Sequence, residues 1–289
     1  MTRHHIRSLL ACAAMASAPA AMAAEGYDNC TGFIDAVPVV ISSQGTWCLR
    51  HDVSTAVTEG SAIEIAANNV TIDCNGFKVG GLAAGVATNA AGIETIARNN
   101  ATVRNCSVRG FRFGIQLSGP GGHLVEDNRV EASTGIGIAV HGGAMVRRNL
   151  VIDTGGSPHE GVSVGIFASY YDQEGMADIL DNSVHGVVAS AGPSGSASVY
   201  GIYAMYSAGS INGNRVRGLV PRDLGVAYGI RQQSSDPLIV RDNDLIGSGG
   251  TGGAAILCHP STLAHGNIFL AFPYGIGGCN DYGGNDHVP

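Results

Sequence analysis

Ile72-Asp73-Cys74-Asn75-Gly76-Phe77 is the first copy of a short cassette: an aliphatic residue, two variable residues, an asparagine, one variable residue and a large apolar residue. Later copies centre on Cys106, Asn128, Asn149, Asn182, Asn214, Asn243 and Asn267, and Cys106 alone replaces the asparagine. Two positions beyond each centre stand Phe77, Val108, Val130, Val151, Val184, Val216, Leu245 and Phe269, a column with no polar member. A repeat of about 20 to 33 residues with one apolar strand per unit is the pattern of a solenoid, in which each unit buries its apolar face by stacking on the next.

A second signal follows each cassette: a small residue and an isoleucine open another strand, as in Gly92-Ile93, Gly114-Ile115, Gly137-Ile138, Gly165-Ile166, Gly201-Ile202, Gly229-Ile230, Ala255-Ile256 and Gly275-Ile276. From this isoleucine to the next cassette centre the spacing is mostly tight; from the centre to the next isoleucine it is loose. Insertions therefore gather on one arc of every coil, an arrangement that often marks the binding face of a repeat protein. In a parallel coil like residues stack about 4.8 Å apart, so buried asparagine amides can bond to the coils above and below. Asn75, Asn128, Asn149, Asn182, Asn214, Asn243 and Asn267 are the expected ladder. Asp73, Arg104, Glu126 and Arg147 fall in one column and alternate in sign, which sets opposite charges on adjacent rungs.

Asn68-Asn69-Val70-Thr71-Ile72-Asp73-Cys74-Asn75-Gly76 resembles the coils of the pectin-lyase-like superfamily, right-handed parallel β-helices with internal asparagine ladders. The resemblance runs from about Gly45 to Asn280 and implies an all-β solenoid of about eight coils. It implies much less about activity, because this fold hosts lyases, hydrolases, epimerases and adhesins. The expected organisation is a signal peptide over residues 1–23, an N-terminal cap over 24–68 built around Trp47, a right-handed parallel β-helix over 69–280 and a tail over 281–289 that breaks the repeat.

The signal reading rests on Arg3 and Arg7, the apolar run Leu9-Leu10-Ala11-Cys12-Ala13-Ala14-Met15 and the small-x-small site Ala21-Met22-Ala23. It implies a secreted or periplasmic protein, and no later run is long and apolar enough to span a bilayer. Without Arg3 and Arg7 the net charge moves from −7 to −9, a balance unsuited to nucleic acid. The six remaining cysteines point to disulfides. Cys30 and Cys48 bracket the opening segment, Cys74 and Cys106 occupy neighbouring cassettes, and Cys258 and Cys279 lie about one coil apart. No cysteine spacing suits a zinc site, no metal or other cofactor is expected, and nothing supports calcium; the oligomeric state is not encoded in any pattern we recognise.

The outward positions after the strand-opening isoleucines read Glu94, Gln116, Ala139, Phe167, Tyr203 and Arg231; two steps further stand Ser118, His141, Ser169, Met205 and Gln233. Aromatic and polar groups mixed in this way suit sugar rings, with their apolar faces and hydroxyl edges. Tyr203, Arg231, Gln233 and the Tyr170-Tyr171 loop are the expected contacts for a polysaccharide or cell-surface glycan.

For catalysis, neither the base beside calcium-binding aspartates of pectate-type lyases nor the aspartate cluster of polygalacturonases appears. Ser157-Pro158-His159-Glu160 is similar to the Asp-Pro-His-Asp/Glu motif of alginate C5-epimerases and related lyases, with Ser157 in place of the leading aspartate. That resemblance makes His159 and Glu160 the catalytic candidates, although the same residues suit an exposed turn. Three readings follow: a glycan-binding solenoid without evident catalysis, a polysaccharide lyase or epimerase using His159, and a purely structural or adhesive solenoid.

Overall fold

A computed structural model describes residues 27–159, 162–170, 175–190, 197–249 and 252–288. The expected signal segment, Glu160 and Tyr171 lie outside these residues. The chain winds as a parallel β-helix whose coils each carry three short strands. The first face holds Ala91–Thr95, the start of Phe113–Glu126, the start of Ile136–Arg147, then Val162–Ser169, Ser198–Met205, Ala227–Gln233 and Gly253–Leu257, each in parallel register with the next. The second face continues through Met176–Leu180, Ala208–Asn212 and Leu238–Arg241. The third face is a separate ten-stranded sheet.

Stacking of the cassette column is direct. Val130 faces Val151 and Val151 faces Val184, and all three are buried. A single apolar bore, filled by isoleucine, valine and alanine, runs the length of the coils. The Gly-Ile signal has a packing cause: a Cβ on Gly114, Gly137, Gly165 or Gly201 would collide with Val130, Val151, Val184 or Val216 of the third face. Glycine lets the first and third faces approach closely. The charge column also forms, with Asp73 opposite Arg104, Arg104 opposite Glu126 and Glu126 opposite Arg147. Arg104 pairs with Asp73 at 2.7 Å and Arg147 with Glu126 at 2.8 Å.

The ladder occupies the corner between the second and third faces. In each rung the amide oxygen accepts from the backbone N–H and from the side chain of the preceding ladder residue; Asn182 Oδ1 accepts Asn149 N–H at 2.9 Å and Asn149 Nδ2 at 3.0 Å. The Asn182 amide in turn donates to Val146 O and Asn214 Oδ1. This repeats from Asn128 to Asn267.

Three expectations are corrected. Asn75 is not a ladder rung: it has positive φ, is half-buried, and donates to Leu49 O. The cause is a longer first corner, in which Lys78 pairs with Ser107 and Val79 with Val108, so Val79 rather than Phe77 stands in the buried column. The cysteine pair Cys74–Cys106 bridges these coils where an amide rung would stand, and Cys106 N–H begins the ladder by donating to Asn128 Oδ1. Second, the tail over 281–289, expected to break the repeat, extends it in its described part, 281–288: Asp286–Val288 pairs with Ile268–Leu270, and Asn285 Oδ1 accepts from Asn267 as a further rung. Third, the segment expected as a cap already stacks in parallel, with Gly32–Ile34 on Gly45–Leu49 and Val39–Ile41 on Ser61–Ile65. Disulfides Cys30–Cys48 and Cys258–Cys279 join successive coils near the two ends, as their spacing suggested.

Candidate functional site

The outward side of the first face carries three columns because its strands are interrupted by the Gly-Ile signal. Tyr200 and Tyr203 both point outward across Gly201-Ile202, and Tyr228 and Arg231 do the same across Gly229-Ile230. Register puts Phe167 beside Tyr203, Tyr203 beside Arg231, Tyr200 beside Tyr228 and Met205 beside Gln233.

The rings form one continuous row. His141 meets Phe167 edge-on with centroids 5.6 Å apart, and Phe167 meets Tyr203 at 5.5 Å. Tyr203 stacks on Tyr200 at 4.9 Å, and Tyr200 on Tyr228 at 5.4 Å. The Arg231 guanidinium lies 5.0 Å from the Tyr228 ring centre and 6.0 Å from that of Tyr200. These residues are half-buried, so each ring is held by its neighbours yet keeps part of its surface in solvent.

The polar atoms are set by the same packing. The Tyr203 hydroxyl donates to Gln233 Oε1. Burial pushes the phenols of Tyr203 and Tyr200 up, while the Arg231 charge pulls the other way, so both remain neutral donors at physiological pH. Burial pushes the His141 imidazole down; its Nδ1 lies 2.6 Å from Ser169 Oγ. A histidine beside a serine suggests a nucleophile pair, but Ser169 is only 2% exposed, and the contact serves to lock the row's first member. Further toward the start of the chain, Glu94 stacks on Glu64, and burial and then the Glu64 charge push the Glu94 carboxyl up.

Of the residues expected from sequence, Tyr203, Arg231 and Gln233 are brought together. Tyr170 lies just past the end of the Val162–Ser169 strand. His159 sits in the turn before that strand, its backbone N–H donating to Ser157 Oγ at 3.1 Å. Arg231 is two rungs further along, about 10 Å at the usual strand spacing, and no described hydrogen bond joins it to His159. Among the described residues no three His, Cys, Asp or Glu side chains gather as a metal site.

Tyr200 and Tyr228 were missed by sequence reading. The available signal was an aromatic immediately before the strand-opening glycine, in Tyr200-Gly201-Ile202 and Tyr228-Gly229-Ile230. A strict two-residue alternation puts the positions on either side of Gly-Ile on opposite faces; the glycine contributes an extra residue to the inner turn and leaves both outside.

No curated relative matches the chain. Among solved structures it is similar to the A-module of the mannuronan C-5 epimerase AlgE6 from Azotobacter vinelandii, at 9% identity over 89% of this chain and 88% of that one, with a TM-score of 0.49. It is also similar to the alginate lyase from Paenibacillus sp. str. FPU-7, at 12% identity over 84% and 92% of the two chains with a TM-score of 0.39. A third is DFA-IIIase from Arthrobacter chlorophenolicus A6, at 13% identity over 79% and 63% with a TM-score of 0.45. Residues 39–216 match the family described as the right handed beta helix region. With its parallel register, buried column and amide ladder, the chain belongs to the right-handed β-helix family.

Proposed function

We propose that the protein is an exported solenoid that binds a polysaccharide or cell-surface glycan along the outward side of the first face, holding the chain without cleaving it. The observation that carries this reading is the ring row His141, Phe167, Tyr203, Tyr200 and Tyr228, flanked by Arg231 and Gln233. Rings fixed by one another lose little freedom on binding and offer apolar surface to sugar C–H faces, while phenol, amide and guanidinium groups meet hydroxyls at the rim. Three disulfides suit an oxidising compartment outside the cytoplasm.

The test is retention of the purified protein by a panel of immobilised neutral and uronate polysaccharides, followed alongside ultraviolet absorbance for unsaturated products. At least one polymer is expected to retain the protein, with no absorbance rise, and Tyr203→Ala or Arg231→Ala should weaken retention about tenfold, a loss of roughly 1.4 kcal/mol, with thermal unfolding little changed. Retention unaffected by either substitution contradicts the proposed surface; a rise in absorbance contradicts binding without cleavage.

A further inference from the structure

The third face carries a separate cluster of cations. Arg215 and Arg217 lie two residues apart on Arg215–Val220 and so project from the same side of the strand. Register puts Ser183 beside Arg215 and His185 beside Arg217. Together with Val184 these four residues line a depression of about 180 Å³. Arg217 is held from one side by Asp244 at 2.7 Å. Arg215 forms no ion pair among the described residues, although Asp244 is its neighbour in register.

Most other basic side chains of this face are neutralised. Lys78 pairs with Asp52, and Arg109 and Arg129 both pair with Glu131. The Arg215 site is different: two guanidinium groups, an imidazole that offers a ring N–H in either protonation state, and a serine hydroxyl surround one concavity, and among the described residues only Asp244 forms an ion pair with these groups. Several donors with a net positive charge and little acceptor capacity suit a tetrahedral oxyanion, which accepts forked bonds from arginine. The depression lies away from the ring row, on another side of the coil, and depends on none of its residues.

We propose that Ser183, His185, Arg215 and Arg217 form a binding site for a phosphate group, free or carried on a lipid headgroup. The probes are inorganic phosphate, titrated by NMR and calorimetry against the full chain, and vesicles of phosphatidylglycerol compared with phosphatidylcholine in a sedimentation assay. Saturable phosphate binding is expected, weakened about tenfold by Arg215→Ala, as loss of one charge-assisted contact implies, and abolished when His185→Ala is added. Arg129→Ala, whose guanidinium is already paired with Glu131, serves as the control and should bind as the wild type does. Sedimentation with phosphatidylglycerol alone, lost with Arg215→Ala, assigns the headgroup as source; phosphate binding without sedimentation assigns the free anion. All four groups are on the protein surface or half-buried, so the variants should unfold at the wild-type temperature. Absence of saturable binding to either probe overturns the site, as does binding that Arg215→Ala and the double substitution leave intact.

Discussion

The ladder asparagines are the residues on which the coil most depends. Asn182 is 1% exposed, and its amide satisfies Asn149 N–H, the Asn149 side chain and Val146 O while bonding onward to Asn214. Alanine there takes the side-chain partner away from the buried Asn149 N–H and from Val146 O, while the Asn149 amide keeps Val125 O and Arg147 O. Asn182→Ala should cost about 3 kcal/mol or more in urea unfolding, because each orphaned buried group costs roughly 1–3 kcal/mol. His123 makes a prediction of the opposite kind. It is buried, and burial pushes its imidazole below the ordinary value, while the nearby Ala101 backbone offsets part of this. Because the folded value lies below the unfolded one, the unfolded chain binds the extra proton first. Stability from this group is therefore full above about pH 6.5 and is lost as pH falls from there toward the folded value. Urea unfolding at pH 8 and pH 5 should show wild type losing more stability on acidification than His123→Phe. An equal loss in both proteins contradicts the assignment to this ring.

At the scale of elements, the strands of the first face sit where they do because glycine admits a neighbouring valine. Gly201→Ala drives a methyl group into Val216 and the carbonyl of Gly229. It should lower stability by about 1–3 kcal/mol, the usual effect of overpacking a filled core, and should also disturb the Tyr200–Tyr203 stack that flanks it. The cysteine rung Cys74–Cys106 joins coils whose corner has the wrong length for an amide rung. Replacing both cysteines with serine should cost about 2–4 kcal/mol, measured by thermal unfolding in the absence of reductant. Much of this was readable from sequence: the ladder from Asn128 to Asn267, the valine column and the alternating charges all keep a constant offset from the centre. What escaped reading did so where an offset changes. Gly76-Phe77 lengthens one corner and moves Val79 into the column, and the Gly-Ile interruption turns Tyr200 and Tyr228 outward. In the tail the column position is His287, an exposed polar residue, so the apolar signal fails although Asn285 still makes its rung. One marker could have found that rung: the residue before each ladder position has positive φ, and Gly284 before Asn285 fits that series with Asp127, Arg148, Asp181 and Asp242.

Across the whole molecule, a straight stack of coils makes any surface feature that repeats in register into a line parallel to the axis. The ring row is such a line, running from His141 to Arg231 over three rung spacings, about 14 Å. A compact ligand uses one part of it; only an extended chain uses all of it. The most direct test is calorimetry with size-fractionated oligosaccharides of a polymer that retains the protein. Affinity should rise with chain length until the oligosaccharide spans the row and then level off, and Tyr203→Ala should remove the rise. Full affinity for a monosaccharide, or a length dependence that Tyr203→Ala leaves unchanged, would contradict a glycan lying along these coils.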